Sequence, residues 1–468
     1  MNEKMSAYLA GAEPLLKALI QRLGGLYPYV SALGQDSLSM RLGVSKSGIS
    51  AMEDSLFTQR GFVIRVHNGK GYCEYSFNEL NEANSDEIFG EIKALAGKCE
   101  GNDPLPSDEP CEKEYFSPYK IDPETLGTGE VIECLSRLRS DVLGQNEGLL
   151  DMMLRFSWQK TRKLFITKNR RLYQDILWTN AGVVALAGGE DGVRDYYRPF
   201  SGLCGAELLD EITPEKLSEC ARICLELLSA EPIAPGEYEC VCDPDVTGMI
   251  VHEAFGHGVE MDMFVKDRAL AKSYVGKRVA SDLVNMHDSA SAVEQCASFL
   301  FDDEGTLSKD NLIIKNGILL QGYADSVSAG RLNVSPTGNG RRESYLSKAY
   351  TRMTNTYFEG GNDELKDMIA SVKYGFMLEN PSSGMEDPKN WGIQCMVNIA
   401  REIKDGELTG RVFSPIVLTG YVPDLLKSIS MVSKEVTLSG SGFCGKGYKE
   451  WVKVSDGGPW IKARVRLG

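Results

Sequence analysis

The chain has 468 residues, more than one hydrophobic core usually organises, with 42% hydrophobic and 25% charged residues and a formal net charge of −15. That composition excludes a largely disordered chain, and the acidic balance makes nucleic acid and anionic membranes poor partners. No apolar run reaches the roughly 20 residues of a spanning helix, and the N-terminus, which carries Glu3 and Glu13, lacks the basic start and apolar stretch of a secretory signal, so the expected location is the cytoplasm.

In chain order, residues 14–23 are amphipathic and read as a helix. Residues 63–66 and 71–77 flank His67-Asn68-Gly69-Lys70, which predicts a β-hairpin with an Asn-Gly turn. Behind the polar start Asn84-Ser85-Asp86, the residues Ile88, Ile92 and Leu95 recur at helical spacing. Residues 100–117 concentrate Pro104, Pro106, Pro110 and acidic side chains and read as an exposed connection. A helix around residues 131–138 follows, then a run of strands over 149–186. Thr213 and Pro214 then supply an N-cap and first residue to a helix whose apolar stripe is Leu217, Ala221, Cys224, Leu225 and Leu228. Two prolines and a glycine in Glu231-Pro232-Ile233-Ala234-Pro235-Gly236 mark the best boundary. Beyond it, short β-like runs carry turns such as Asn316-Gly317 and Asp405-Gly406. The expected fold is α+β in two domains: residues 1–231, a sheet packed with helices, and residues 232–468, a β-rich domain holding a metal site. The twelve cysteines are scattered, and the closest, Cys240 and Cys242, would share one strand face, so packing rather than disulfides is expected of them.

Two of only four histidines fall in His252-Glu253-Ala254-Phe255-Gly256-His257. The bland reading is that they merely share the start of a helix, but a glutamate beside the first histidine is the arrangement of zinc peptidases. Five steps at about 100° each leave the two rings roughly 140° apart on a regular α-helix, too far to share a metal. The spacing therefore predicts a π-bulge or a helix distorted or ended near Gly256. A catalytic zinc normally has three protein ligands. The local candidate for the third is Glu260. The remote one is Cys444, in the glycine-rich run 439–447, with His67 and His287 as weaker rivals. Gly440-Ser441-Gly442-Phe443-Cys444-Gly445 matches a dinucleotide fingerprint literally, but too little chain follows for the βαβ unit it needs, and Thr337-Gly338-Asn339-Gly340-Arg341-Arg342 lacks a P-loop ending.

Together with Asp302-Asp303-Glu304-Gly305-Thr306, Arg352-Met353-Thr354-Asn355-Thr356 and Cys444-Gly445-Lys446-Gly447, these stretches resemble the TldD/PmbA family, in its metal-bearing TldD branch. The resemblance implies a zinc metallopeptidase with His252, His257 and Cys444 as ligands to one Zn2+ per chain. It also implies cleavage of unfolded peptides held in extended form, and pairing with a TldE/PmbA-type subunit that lacks the metal motif. After Lys446 the sequence departs from the best-known pattern, with Gly447-Tyr448-Lys449-Glu450-Trp451, which leaves a homodimer as the alternative. Glu253 is the expected general base on a water activated by the metal. Arg341, Arg342, Asn355 and Thr356 are candidates to hold substrate backbone or the oxyanion, with salt bridges and turn packing as the equal alternative. Two other functions compete: a cysteine peptidase with Cys444 as nucleophile, and a non-catalytic binding subunit.

Overall fold

A computed structural model describes residues 5–54, 57–190, 192–446 and 449–468. Gly447 and Tyr448, where the sequence begins to depart from the family pattern, lie outside the described residues.

Three long strands, Tyr29–Ser45, Leu149–Ile166 and Arg170–Gly189, run antiparallel through the centre of an eight-stranded sheet. Strand alternation divides their side chains between two faces. Val30, Ala32, Leu42, Val44, Leu154, Phe156, Leu164 and Ile166 fall on one face, and four helices cover it: Ala7–Gly24 and Ser85–Lys98 over one part, Thr128–Gln145 and Pro214–Glu226 over the other. Leu33, Phe165 and Leu172 fall on the reverse face and meet Phe301. The first helix starts at Ser6, whose hydroxyl accepts the Leu9 N–H at 3.2 Å. The Thr213-Pro214 helix starts as expected, with the Thr213 hydroxyl accepting from Lys216, and buries Leu217, Ala221 and Cys224, but it ends at Glu226, so Leu228 falls in a 3₁₀ turn and Leu225 and Leu228 are only partly buried.

The hairpin of Gln59–His67 and Tyr72–Phe77 closes on Asn68, whose side-chain oxygen accepts the N–H groups of Lys70 and Gly71. Two expectations need correction. In Ser85–Lys98 the buried stripe is Ile88, Ile92 and Ala96, and Leu95 is 37% exposed, because four steps from Ile92 return to the buried face and three do not here. Within 100–117, Cys111–Phe116 is a strand that pairs parallel with Arg170–Gly189. The open edge of the long strand recruits it, and the charged run Glu112-Lys113-Glu114 faces outward, which is why its sequence looks like a loop.

From residue 236 onward the chain builds two further sheets. In one, Tyr374–Asp387, Gly236–Cys242, Ile461–Leu467, Ile416–Tyr421 and Gly392–Lys404 pair in succession, and the last returns to pair with the first, closing a ring. The other runs Ile318–Leu319, Asp310–Lys315, Met286–Ser289, Asn355–Phe358, Ser455–Gly458 and Thr437–Ser439. The expected tight turns form: Asn316-Gly317 and Asp405-Gly406 both have positive φ at both residues. Cys240 and Cys242 lie fully buried on one strand, and all twelve cysteines are free. Among the described residues no helix is long and apolar enough to cross a membrane.

Candidate metal centre

Asp243 ends the strand Gly236–Cys242 and caps a helix, its carboxylate accepting the Val246 N–H at 2.7 Å with Pro244 at the first position. The helix lies close against the strand Ser455–Gly458: a Cβ on Gly248 would stand 2.6 Å from the Gly457 nitrogen, so only glycine permits this approach. After Met249 the helix changes pitch. Residues Ile250–Gly256 are π-helical and His257–Val259 make a 3₁₀ turn. With bonding to the fifth residue, positions 252 and 257 return to one face, which resolves the conflict that their spacing poses for an α-helix. Tyr323 fastens the distortion by donating its hydroxyl hydrogen to the Gly256 carbonyl.

On that face the His252 and His257 rings stand 5.3 Å apart, nearly perpendicular. The hairpin of Phe443–Lys446 and Lys449–Lys453 brings Cys444 to them, with its Sγ 3.3 Å from His257 Nε2. One ligand atom from each of the three residues lies within 4.8 Å of the others. A tetrahedral zinc with bonds of about 2.0–2.3 Å sets its donors roughly 3.4–3.8 Å apart, so small side-chain adjustments close the set. Two further observations fit a metal. His252 Nδ1 is buried without a hydrogen-bond partner among the described residues. Burial pushes the Cys444 thiol up, yet His257 and His252 beside it hold it well below the usual thiol range, in the thiolate form a metal requires.

Glu253 follows His252 on the helix, with its Oε2 3.8 Å from His257 Nε2. Burial raises its carboxyl, against the opposing pull of His252 and His257. The strand Tyr374–Asp387 passes directly over it: a Cβ on Gly384 would lie 2.5 Å from Glu253 Cγ.

Glu260, the local rival for third ligand, stands behind His257. Its Oε2 is 3.6 Å from Nδ1, while Nε2 faces Cys444. This is the position of a carboxylate that orients a ligating imidazole. Lys446 Nζ sits 3.0 Å from Glu260 and 2.7 Å from Asp262, and Arg352 Nε is 3.6 Å from Glu260. Arg352 also donates to the Cys444 carbonyl at 2.7 Å, so one buried guanidinium holds the backbone of Cys444 and the carboxylate behind His257. Sequence reasoning quoted Arg352 and Lys446 only as parts of signature stretches. Their presence beside Thr351 and Cys444 was the available signal, but their convergence is tertiary. We expect Glu260→Gln to weaken zinc binding about 10–100-fold in competition with a chromogenic chelator. Unchanged affinity would mean that Glu260 has no part in orienting His257.

The other candidates lie elsewhere. His67 accepts from the Gly69 N–H and bonds the Asp103 carbonyl, and His287 sits between Asp310 at 2.9 Å and Glu359 at 2.8 Å. Asn355 is fully buried and donates to the Ser289 carbonyl and Ser298. Thr356 is also fully buried and donates to Asp288. Asp288 likewise accepts from Asn339 at 2.6 Å and from the N–H and hydroxyl of Thr354, so the Thr337 and Arg352 signature stretches are tied together beneath the site. Arg341 donates to the Met353 carbonyl and reaches a separate chamber described below.

Arg342 is paired with Glu74 at 2.8 Å, across from the hairpin of the first sheet. Burial raises the Glu74 carboxyl, but Arg342 and Arg65 bring it down to about 2 from 4.5. A depressed folded value stabilises the fold fully above pH 4.5 and loses that contribution as pH falls toward 2, about 3 kcal/mol by linkage. Glu74→Gln should therefore show a shallower loss of urea-unfolding free energy below pH 4.5 than wild type. Parallel profiles would contradict the pairing.

A mixed α/β fold that brings two histidines, one on a π-helix and one on the turn that ends it, against a cysteine from a distant hairpin defines the class. Residues 235–464 match the family model of the PmbA/TldA metallopeptidase C-terminal domain. A metalloprotease from Methanocaldococcus jannaschii is 30% identical over 389 residues, 83% of this chain and 80% of its own length. A protein named zinc metalloprotease TldD homolog, from Saccharolobus solfataricus, is 34% identical over 244 residues, 52% of this chain and 54% of its own. The crystal structure of TldE from Thermococcus kodakarensis superposes with a TM-score of 0.75 at 16% identity, covering 97% of this chain and all of that one, which shows a shared fold. The chain belongs to the PmbA/TldD family.

Proposed function

We propose that the protein is a zinc-dependent peptidase acting on unfolded or extended peptides. The observation that carries the reading is the convergence of His252, His257 and Cys444 with Glu253 beside them. His252, His257 and the Cys444 thiolate would hold one zinc per chain, leaving a fourth position for water or substrate. When bound, zinc supplies Lewis acidity, polarising a carbonyl and acidifying water. Glu253 takes a proton from the attacking water and returns it to the leaving amine, and the raised carboxyl suits that exchange. Glu260, backed by Lys446 and Arg352, holds the His257 ring from its Nδ1 side and leaves Nε2 as the nitrogen that would bind zinc.

The names of the relatives, metalloprotease and zinc metalloprotease, support the peptidase reading. In the same reading the chain divides near residues 231 and 232, works in the cytoplasm, and forms a dimer with a TldE/PmbA-type subunit or with itself. Asn355 and Thr356 hold the floor of the site through Asp288 and the Ser289 carbonyl rather than touching substrate.

The test is hydrolysis of a denatured, fluorescently quenched casein by purified protein, alone and with the partner subunit. We expect activity lost on treatment with 1,10-phenanthroline and restored by stoichiometric zinc, with thiol alkylation inhibiting the metal-free protein's recovery more than the zinc-loaded form. Hydrolysis indifferent to the chelator but abolished by alkylation would replace this reading with the cysteine peptidase.

A further inference from the structure

The ligand hairpin has two faces. Cys444 pairs opposite Val452, and Phe443 opposite Lys453, so alternation sends Cys444 toward the histidines and Phe443, Trp451 and Lys453 the other way. On that other side they meet the reverse face of the first sheet. Phe443 stacks on Phe57 at 4.6 Å and packs edge-on against Trp178 at 5.7 Å. Between the two surfaces lies a chamber with about 100 Å³ of free volume, floored by Gln35, Gln159 and Thr161 and bounded by Arg341 and Lys453. At roughly 30 Å³ per water, that is room for about three waters or one side chain, not a run of peptide.

The charges in the chamber are unevenly paired. Lys163 is paired with Asp303, and Arg342 with Glu74. Asp302 spends its oxygens on the N–H groups of Glu304, Thr306 and Gly340. Lys453 and Arg341 remain. Lys453 is only 7% exposed, and its ammonium lies 4.4 Å from the centres of both the Trp178 and Phe443 rings. It reaches the Asn180 amide oxygen at 2.7 Å in the amide orientation that satisfies both groups. Arg341 lies 5.4 Å over Phe299 and spends one N–H on the Met353 carbonyl. Among the described residues no carboxylate is in ion-pair contact with Lys453 or Arg341, although Glu343 also borders the chamber. Burial depresses both, Lys453 to about 8 against the pull of Cys296 and Arg341 to about 10 against the pull of Asp303. The ring faces lie against the cations themselves, and the unspent N–H donors of Lys453 and Arg341 leave a position for a small anion that accepts hydrogen bonds.

We propose that this chamber is a carboxylate-binding site, in which Lys453 and Arg341 receive either an acidic side chain or the free C-terminal carboxylate of a peptide. It rests on the peptidase reading for its source of ligand, and it makes these two residues determinants of peptide preference. Because the site shares a two-stranded hairpin with Cys444, its occupant also braces the strand that presents the thiolate to the metal centre.

The test is binding of fluorescein-labelled heptapeptides to full-length, zinc-supplemented Glu253→Gln protein, followed by polarisation. Three peptides suffice: one with an internal Glu and a free C-terminus, one with that Glu replaced by Gln, and one with the C-terminus amidated. Removing the operative carboxylate should weaken binding about tenfold or more, and which replacement does so identifies the source. In Lys453→Met that preference should collapse to under about threefold. Arg341→Gln serves as an independent second variant, each checked by circular dichroism and zinc content. Equal binding of all three peptides, or a preference that survives both substitutions, would overturn the site while leaving the peptidase reading untouched. A preference that holds in protein whose wild-type form hydrolyses none of the peptides would sustain the site and remove the peptidase reading instead.

Discussion

Cys444→Ser should strip the protein of zinc and reduce peptide hydrolysis at least about 100-fold, without unfolding it. In the proposed set the thiolate is the one anionic ligand, and a serine hydroxyl in the same place stays protonated at neutral pH, so the two imidazoles would have to hold the metal alone. The hairpin that carries residue 444 does not depend on the sulfur. Phe443 is stacked on Phe57 and packed edge-on against Trp178, and Arg352 grips the residue 444 carbonyl at 2.7 Å. Zinc per chain should fall from about one to under a tenth, while the thermal unfolding midpoint of the metal-free variant matches that of metal-free wild type. Retention of stoichiometric zinc in the serine variant would transfer the third ligand to another residue. Glu260 is a poor replacement, since it faces His257 Nδ1.

Glu253→Gln separates chemistry from binding. The amide has the shape of the carboxylate, and so preserves the contact under Gly384, but it cannot accept a proton from water. General-base contributions are typically 10²–10⁴-fold, so kcat should fall by about 1,000-fold with KM changed by less than a few-fold and zinc content unchanged. A variant that keeps a tenth or more of wild-type kcat would assign the proton transfer elsewhere. Glu386 is the neighbouring carboxylate to examine in that case: its Oε2 accepts the Gly258 N–H at 2.8 Å and burial pushes its carboxyl well above the usual range.

The legible part of the site was its spacing. A histidine pair five residues apart cannot face one metal from an α-helix, and that conflict called for a π-bulge or a helix distorted or ended near Gly256, of which the structure has a π-helix over Ile250–Gly256. Asp243-Pro244, an N-cap followed by a first-turn proline, also announced the helix, although the sequence reading did not use it. The Asn316-Gly317 and Asp405-Gly406 turns were legible because positive φ at both central residues selects few residue types. What stayed hidden depends on contacts between distant segments. The charged strand Cys111–Phe116 exists because a neighbouring strand offers it an edge. Asn355 and Thr356 read in sequence as candidates to hold substrate, with turn packing as the equal alternative, and they turn inward because the Ser289 carbonyl and Ser298 receive Asn355 and the buried Asp288 receives Thr356. Glu260 reads as a ligand when only its distance along the chain from His257 is known; the ring nitrogen it faces gives it a different place.

Zinc stoichiometry and hydrolysis measured on the same preparation test the central claim most directly. Wild-type protein purified under reducing conditions should carry about one zinc per chain by elemental mass spectrometry, and its hydrolysis of denatured casein should fall and recover in proportion to zinc as the metal is removed and returned. Full hydrolysis by protein containing no zinc would contradict the account.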